Sequence, residues 1–455
     1  MTKKHKLTIF AMCLGTFIVM LDTTIMNIAL PSIQKSLSIT LSDLSWALNA
    51  YTILFASLTI PLGKFANIFG KKGFYLCALI LFAFGSLISG WSQTLLLLTL
   101  GRILQSIGAG AIFPLSMDMA ISSQRKVNRG KATLIVGITQ GSASAFGPII
   151  GGIIIHFLGW RWIFLMNLPI AAVSLLLTIF YLTLPEEKVE KTKIDWFGTI
   201  CMVAGLFSLT LFLINLRSEG LSLFMLALLC ISILALFIFI CYEKKMAYPI
   251  IDFGLFKSSH FNMAAIGTIL GQLLLVGFMV LMPTFFETIF HKTALQAALL
   301  ISPSTFMIFL LSPFAGKLMR KIRPYYLLAL GFFIISLGYL SLSFLKLPFN
   351  YIFYSICSIF IGAGYGVIVG PISVLSTSDF KGSRLTVSQS VIGVLRQLGT
   401  VLATTLFISG LTYNLSLAKG LQDYISSFTS LYFYTAPAAL ILALLFLLLP
   451  SQFKK

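Results

Sequence analysis

The chain has 455 residues, of which 58% are apolar and only 10% are charged, and its mean hydropathy is +0.99. Soluble chains carry roughly a quarter charged residues, so water does not surround most of this surface. The formal net charge of +19 would suit a nucleic-acid-binding protein, but the basic residues lie in short segments between long apolar runs. The composition therefore predicts an integral membrane protein, and we expect no nucleic acid among its partners.

Apolar runs of about 20 residues, each long enough to cross a bilayer core of about 30 Å, recur along the whole chain. The runs are apolar on all sides and lack strand-like alternation, which indicates helices rather than a barrel. The first run follows a basic start, but it lacks the cleavage site of a signal peptide and is interpreted as a retained span. In chain order we predict fourteen spans, at 7–30, 45–62, 73–92, 96–119, 132–156, 163–184, 196–215, 221–241, 261–285, 296–316, 325–344, 350–375, 385–411 and 429–450.

The basic residues are distributed unequally between the two sides of this predicted membrane. Of the 32 Lys and Arg residues, 24 lie in the termini and connections on one side, six lie on the other side, and Arg102 and Arg396 lie within spans. Connections rich in Lys and Arg remain in the cytoplasm. Because an even number of spans puts both termini on one side, we predict a multi-pass protein of the cell membrane with cytoplasmic termini.

Short similarities between the first six and the last six spans indicate two repeated halves. The run Ile-Gly-Ala-Gly occurs at 107–110 in span 4 and again at 361–364 in span 12. Two parallel halves are a transporter architecture, with the binding site near the midplane where the halves meet. We predict an all-α integral membrane fold of fourteen transmembrane helices in three parts: a six-helix bundle at 1–193, two additional central helices at 194–245 and a second six-helix bundle at 246–455.

Charged residues are rare inside the spans, where an ion at a helix centre costs about 2.5–3.5 kcal/mol. Asp22 in span 1 and Arg102 in span 4 lie at similar depths from the outer side, so they can face one cavity. We interpret Asp22 as a buried carboxylate that takes up and releases a proton, with Arg102 as its coupling partner. The alternatives are an Asp bonded to the hydroxyl of Thr23 or Thr24, and an Arg that is a structural hydrogen-bond hub.

Two further acids are candidate proton or substrate groups. Glu287 lies near the outer end of span 9, where it is either an acid at the cavity mouth or a solvated interfacial residue. Asp118 lies near the inner end of span 4, close to Arg125 and Lys126, which favours an interfacial ion pair.

Four polar residues within spans are candidates for lining the cavity or for coupling: Asn27, Gln105, Arg396 and Gln397. For Arg396 and its neighbour, a functional site and a structural scaffold remain equal alternatives. In span 5, small residues four apart are followed by Gly147, Pro148, Gly151 and Gly152. Such residues let helix backbones approach closely and allow a kink, so this region is either ordinary tight packing or a seam that moves.

The six cysteines and four histidines show no spacing typical of a metal site or a disulfide framework. No Walker sequence occurs, since the segment 69–73 lacks the earlier glycine and the Ser or Thr that bind phosphate and Mg²⁺. We therefore expect no metal, no cofactor other than protons as the coupling ion, and neither an enzyme nor an ATP-driven pump.

Several motifs together resemble the major facilitator superfamily, and specifically its fourteen-span drug:proton antiporters of the EmrB/QacA type. The resemblance covers essentially the whole chain. Its segments are Leu21–Pro31 in span 1, Arg102–Gly108 in span 4, Gly147–Gly152 in span 5, Trp160–Pro169 after span 5, and Arg396–Gly399 in span 13. The segment Trp160–Pro169 is the most specific match, and Gly147–Gly152 is similar to a motif that is common in exporters and scarce in importers.

One family motif departs from its usual form. The loop after span 2 normally reads Gly-x-x-x-Asp-Arg-x-Gly followed by two basic residues, but here Gly63 and Gly70 enclose Asn67 and Ile68 in place of the Asp and the Arg. In the family, that acid helps to hold the two halves together on the inner side. The resemblance therefore implies a weaker inner contact, which affects the balance of states rather than the fold.

The resemblance implies proton-coupled efflux of lipophilic, often cationic, compounds by alternating access. The expected partners are small amphipathic substrates, protons and the lipid bilayer, and we expect a monomer. A dedicated exporter of one metabolite or natural product would share every motif, so it remains the alternative. Nutrient uptake is disfavoured by the exporter motif at Gly147–Gly152.

Overall fold

A computed structural model describes residues 3–39, 41–182, 184, 195–219, 222–246, 249–319, 321–417 and 420–448. Within these ranges the chain is helical and contains no strand. The helices are α1 Lys3–Leu37, α2 Leu41–Phe69, α3 Lys71–Trp91, α4 Leu95–Ser122, α5 Arg129–Leu158, α6 Trp162–Leu165, α7 Asn167–Tyr181, α8 Trp196–Glu219, α9 Leu223–Glu243, α10 Ser259–Phe290, α11 Ala294–Leu300, α12 Ser302–Leu318, α13 Pro324–Leu342, α14 Tyr351–Leu375, α15 Ser383–Leu417 and α16 Leu421–Leu448. Two short 3₁₀ helices lie at Lys126–Asn128 and Phe253–Lys257.

The predicted apolar runs coincide with helices, although two of the runs are each divided between two helices. The run at 163–184 forms α6 and α7, and the run at 296–316 forms α11 and α12. In the described residues, twelve helical segments are long and apolar enough to cross a membrane, and the bent helix α5 makes a thirteenth candidate. The 17 residues of α12 fall short of the roughly 20 that usually span a bilayer.

The outer surfaces of these helices are apolar, as a lipid solvent requires. On α9 the exposed side chains include Leu223, Phe224, Ile233, Leu234 and Phe237. The inner side of α9 packs against α8, where Leu236 lies against Gly205 and the hydroxyl of Ser232 donates to the carbonyl of that glycine at 3.1 Å. The structure is that of a multi-pass helical membrane protein.

Two compact units divide the chain. The first comprises Met1–Phe261 and Ser376–Leu398, so it contains α1 to α9 and the beginning of α15. A buried apolar cluster in this unit includes Leu21, Ile25 and Met26 of α1 together with Trp160 and Phe164.

The second unit comprises Asn262–Leu375 and Gly399–Lys455. Its interior contains a group of aromatic rings in which Phe285, Phe286 and Tyr354 meet edge to face with their neighbours. A smaller polar cluster lies on α10, where the side chain of Gln272 accepts from the Tyr365 hydroxyl at 2.9 Å and donates to Thr400 at 3.3 Å. The three-part division predicted from the sequence remains a prediction.

Candidate functional site

Asp22 and Arg102 form a buried ion pair between α1 and α4 in the first unit. Nη1 of Arg102 lies 2.6 Å from Oδ2 of Asp22, and both side chains are at most 1% exposed. The equal depths read from the sequence thus correspond to a direct contact. An ion pair without access to water is sensitive to the loss of either partner, because the remaining charge would be buried without compensation.

Two side-chain amides complete the shell around the Asp22 carboxylate. Gln105 Nε2 donates to Oδ1 of Asp22 at 3.2 Å, and Asn167 Nδ2 lies 3.5 Å from the same oxygen. Both amides also contact the hydroxyl of Ser86, at 2.8 and 3.3 Å. Both oxygens of the carboxylate therefore have charged or amide donors beside them.

The guanidinium of Arg102 is held by more than its acid partner. Nη1 also donates to Oε1 of Gln105 at 3.0 Å, and the guanidinium carbon lies 4.1 Å from the centre of the Tyr51 ring. An aromatic face at this distance attracts a cation. Among the described residues, the Tyr51 hydroxyl, Arg102 Nε and Asn167 Oδ1 are buried without a hydrogen-bond partner. The cluster thus contains buried polar atoms whose hydrogen-bonding capacity is not used within the described structure.

Glycine residues allow the helices around this cluster to approach closely. A Cβ atom added to Gly85 of α3 would lie 2.6 Å from the backbone nitrogen of Gln105, and one added to Gly101 of α4 would lie 2.8 Å from the carbonyl oxygen of Gly85. These separations are too short for any side chain. The close α3–α4 contact brings Ser86 within reach of Gln105.

The alternative in which Asp22 is bonded to the hydroxyl of Thr23 or Thr24 does not fit this geometry. The hydroxyls of Thr23 and Thr24 donate to the backbone carbonyls of Met20 and Leu21, as is common for such residues within helices. The partners of Asp22 come instead from α4 and α7. For Arg102, its contacts with both Asp22 and Gln105 are compatible with a coupling role and with a structural hub.

A second polar cluster lies where the last turns of α2 and α4 and the first turn of α3 meet the beginning of α15. Asp118 is fully buried and lies 2.5 Å from Nζ of Lys71, and it accepts hydrogen bonds from Ser122 and Thr386. The ion pair expected for Asp118 therefore forms with Lys71, whereas its position in the sequence pointed to Arg125 and Lys126. Lys71, at the start of α3, is brought to the end of α4 because these two helices pack along their length.

Asn67 contributes to the same cluster. The hydroxyl of Thr386 lies 3.0 Å from Oδ1 of Asn67 as well as against Asp118. Gly63, one turn earlier in α2, is so close to α15 that a Cβ atom there would lie 2.2 Å from the Ser390 hydroxyl. The position where the family motif has an acid therefore still contacts α15, and the negative charge beside it comes from Asp118.

Gly70 separates α2 from α3 and has a φ of +97°, a left-handed value that favours glycine. Its conformation permits the sharp turn that places Lys71 at the first residue of α3.

The glycines of α5 contact α1 just beyond Asp22. A Cβ atom at Gly147 would lie 1.9 Å from the Thr24 hydroxyl, and one at Gly151 would lie 2.4 Å from the side chain of Ile25. Pro148 and Gly152 are buried beside them. The helix bends by 49° between Ala143 and Phe146, so close packing and a kink occur in the same region.

Arg396 is buried on α15 and donates from Nη2 to Oε1 of Gln140 at 3.2 Å. Its guanidinium carbon also lies 5.7 Å from the centre of the Phe113 ring. Gln397 beside it is buried as well. These contacts link α15 to α5 and α4 within the first unit, and they do not distinguish a functional site from a scaffold.

Two other candidates lie outside these clusters. Glu287 is exposed near the end of α10, as a solvated interfacial residue would be. The side chain of Asn27 lies outside the described part of the structure.

Comparisons with known proteins agree with the arrangement of these helices. A sequence model of the Major Facilitator Superfamily matches residues 12–404. The chain belongs to the Major Facilitator Superfamily. It is 29% identical to the multidrug export protein EmrB of Escherichia coli (strain K12) over 407 residues, which are 87% of this chain and 79% of EmrB. It is 26% identical to the riboflavin transporter RibZ of Clostridioides difficile (strain 630) over 451 residues, which are 96% of each chain.

A solved structure shows the same fold. The human organic anion transporter MFSD10 (TETRAN) has a TM-score of 0.65 at 14% identity, over 97% of this chain and all of that chain. As a member of the Major Facilitator Superfamily with EmrB-type relatives, the chain is a membrane transporter of small molecules rather than an enzyme. Among the described residues, no three His, Cys, Asp or Glu side chains are grouped as metal ligands.

Sequence reasoning missed several residues of this Major Facilitator Superfamily site: Tyr51, Ser86, Lys71, Gln140 and Thr386. Tyr51, Ser86, Gln140 and Thr386 are common residue types in a span or at its end, without a distinctive neighbourhood in the sequence, whereas Lys71 is one of the basic residues that end the loop motif after span 2. Asn167 is different, because it lies within the motif Trp160–Pro169. A polar residue in that motif was the available signal.

Proposed function

We propose that this transporter is a proton-coupled multidrug efflux antiporter that exports lipophilic, often cationic, compounds by alternating access. The observation that carries the proposal is the fully buried carboxylate of Asp22, held by Arg102 and two amides. A buried ionisable residue in a membrane protein marks an ion or substrate pathway. Similarity to the multidrug export protein EmrB supports the same class of substrate.

The contacts of Asp22 suggest how a proton changes the transporter. In the ionised form, Asp22 neutralises Arg102, and its oxygens accept from Gln105 and Asn167. A proton on Asp22 removes that negative charge, so Arg102 becomes a buried cation without an acid partner, which costs several kcal/mol. This cost favours a second conformation in which Arg102 is solvated or differently paired. A cationic substrate binds best while Asp22 is ionised, and its release follows protonation from outside.

The proposed topology has fourteen spans with both termini in the cytoplasm. Support comes from the concentration of 24 basic residues on one side and from helices at each predicted run. In this proposal α11 and α12 together form the tenth span, and α8 and α9 are the two additional helices between two six-helix halves. The transporter acts as a monomer within the lipid bilayer.

A dedicated exporter of one compound is the second candidate. A single substrate is favoured by the similarity to the riboflavin transporter RibZ, which extends over 96% of both chains and so matches this chain in length better than EmrB does.

The two candidates differ in the range of compounds that exchange for protons. Inside-out vesicles with an acidified lumen would be given cationic dyes, biocides and riboflavin in turn, and the pH of the lumen would be followed. Proton release in response to several chemically unrelated cations is the expected result. A response to riboflavin, or to one other compound alone, would replace the multidrug assignment with a dedicated exporter.

A further inference from the structure

A pair of buried acids lies away from Asp22, where α8 begins and α9 ends. Asp195 immediately precedes α8 and is 9% exposed, while Glu243 is the last residue of α9 and is 1% exposed. The two carboxyl groups are within hydrogen-bonding reach of each other. Neither side chain takes part in the proton pathway proposed above.

One oxygen of each acid is bonded to the backbone. Oδ1 of Asp195 accepts from the amide of Gly198 at 2.9 Å, as a helix N-cap does. Oε1 of Glu243 accepts from the amides of Ile250 and Ile251, the latter at 3.2 Å. Asp195 therefore binds the backbone at the start of α8, and Glu243 beside it binds the backbone of the chain that follows α9.

The second oxygen of each acid has no donor. Asp195 Oδ2 and Glu243 Oε2 are buried and lack a hydrogen-bond partner among the described residues. Both oxygens lie beside Gly198, because a Cβ added to this glycine would be 2.4 Å from Asp195 Oδ2 and 2.8 Å from Glu243 Oε2. The missing side chain of Gly198 leaves the space in which these two oxygens meet.

Within the described residues, neither of these carboxyl groups forms an ion pair with a basic side chain. At this end of the surrounding elements, the charged and titratable residues include Lys64 on α2, Cys201 on α8, Cys241 and Tyr242 on α9, Lys244 and Lys245 after α9, and Asp252 and Lys257 in the following segment. Asp252 is engaged elsewhere, since it pairs with Arg384 at 2.6 Å.

Two ionised carboxylates have only acceptor oxygens, so they cannot bond to each other. Buried side by side, they also repel, which favours retention of one proton between them. We propose that Asp195 and Glu243 form a proton-binding site, in which a single shared proton joins Asp195 Oδ2 to Glu243 Oε2. The proton comes from the aqueous side that the proposed topology places in the cytoplasm, and its release leaves two adjacent negative charges.

The site controls the connection between α9 and α10. After the contact of Ile250 and Ile251 with Glu243, the chain forms the 3₁₀ helix Phe253–Lys257, which is capped by Asp252. Ser258 and His260, which follow this helix, contact Asp379. Burial raises the pKa of Asp379, but hydrogen bonds from Ser258 and His260 outweigh it and hold that pKa below its usual value. This far contact therefore stays ionised when the Asp195–Glu243 site loses its proton. Alkaline cytoplasmic pH loosens the connection at Glu243 only.

Glutamine at position 243 provides a sharp test. Its amide nitrogen can donate to Asp195 Oδ2 while its oxygen still accepts from Ile250 and Ile251, so Glu243→Gln replaces the shared proton permanently. In the wild type, the folded state holds one more proton than the unfolded state from about pH 5, since unfolded Asp and Glu titrate near pH 4, up to the pH at which the site releases its proton. Wild-type stability therefore falls as pH rises.

The measurement is the melting temperature of the purified full-length protein between pH 6 and pH 8.5. Relative to Glu243→Gln, the wild type should lose roughly 2–4 °C over this range. Glu243→Ala, which removes the acid without supplying a donor, should be less stable than Glu243→Gln at every pH. In Asp195→Asn, the amide at position 195 can donate to Glu243 Oε2 instead. This variant takes the place of Glu243→Gln in the comparison if the glutamine variant does not fold.

Infrared spectroscopy gives a second readout that does not depend on stability. The wild type at pH 7 should show the carbonyl band of a protonated carboxyl group that Glu243→Gln lacks. A wild type without this band, or a melting curve with the same pH dependence as Glu243→Gln, would overturn the proton site. Neither outcome depends on Asp22, so the efflux proposal would stand or fall separately.

Discussion

Nη1 of Arg102 donates to Asp22 and to Gln105 in a region that water does not reach. At this residue, charge balance matters more than the number of hydrogen bonds, because a buried carboxylate without its cation has a large desolvation cost. Removing Arg102 alone should therefore be more damaging than removing both charges.

The variant Arg102→Gln should destabilise the protein by about 3–5 kcal/mol, since it leaves Asp22 buried and unpaired. The double variant Asp22→Asn with Arg102→Gln should recover most of that loss. Thermal unfolding of the purified proteins in detergent measures both effects. Arg384→Gln is the control, because its pair with Asp252 is largely exposed and should contribute about 0–1 kcal/mol. A double variant as unstable as Arg102→Gln would refute the charge-balance account.

The sequence predicted the identity of the buried charged residues, but it did not predict most of their contacts. Two charges at equal depth predicted that Asp22 and Arg102 can face one cavity, because depth follows from counting residues along a helix. The rotation of each helix about its axis is set by packing between glycines such as Gly85 and Gly101, which counting does not predict. The contributions of Tyr51 and Ser86 depend on that rotation and were missed.

Among the elements, the polar contact of Asn67 on α2 with α15 is made through the hydroxyl of Thr386. Thr386 lies between Asn67 Oδ1 and Asp118 Oδ2, and its one proton can be donated to only one of them. An amide at position 67 adds no charge beside Asp118, whereas the acid of the usual motif would place two carboxylates around Thr386. Here the neutral residue suits its surroundings.

We expect Asn67→Asp to weaken the contact between α2 and α15 through repulsion from Asp118. A cysteine pair at Gly63 and Ser390 reports this contact, since the Cβ positions lie 3.4 Å apart, close to the spacing in disulfides. In a background without the native cysteines, the rate of disulfide formation should fall several-fold with Asn67→Asp. Asn67→Ser, which adds no charge, is the control.

Faster disulfide formation with Asn67→Asp would contradict this view of the cluster. It would instead support the expectation from the family motif, in which an acid strengthens the inner contact.

Helix positions were predictable because each apolar run must satisfy its backbone within the bilayer. The predicted run at 132–156 became α5 at Arg129–Leu158, for example. Interruptions within runs were not predicted. The breaks between α6 and α7 and between α11 and α12 occur at the apolar residues Met166 and Ile301. Pro303, at the start of α12, was the available signal for the second break.

For the molecule as a whole, fourteen spans and cytoplasmic termini require that particular connections lie outside. Thr293, which caps α11, lies in a connection predicted to be outside, and Lys245, after α9, lies in one predicted to be inside. In intact cells, Thr293→Cys should react with an impermeant thiol reagent, and Lys245→Cys should react only after the membrane is opened. Labelling of Lys245→Cys in intact cells would contradict the topology.

Proton-driven efflux through Asp22 is the central claim about the whole transporter. Asp22→Asn resembles the protonated acid but cannot release a proton, so the inserted protein should lose substrate-driven proton exchange. Because this variant leaves Arg102 without its acid partner, it is compared with the wild type at equal amounts of inserted protein. Asp22→Glu should retain part of the activity, because a titrating carboxyl group survives with a longer reach. In the wild type, binding of a cationic substrate should weaken as pH falls and Asp22 takes up a proton, and this dependence should largely disappear in Asp22→Asn.

The most direct measurement is transport of a cationic dye into inside-out vesicles under an imposed pH gradient, for the wild type and Asp22→Asn at equal amounts of inserted protein. The account predicts dye accumulation that follows the gradient in the wild type and none above the level of empty vesicles in Asp22→Asn. Accumulation at the wild-type rate by Asp22→Asn would contradict the account and move the coupling proton to another acid.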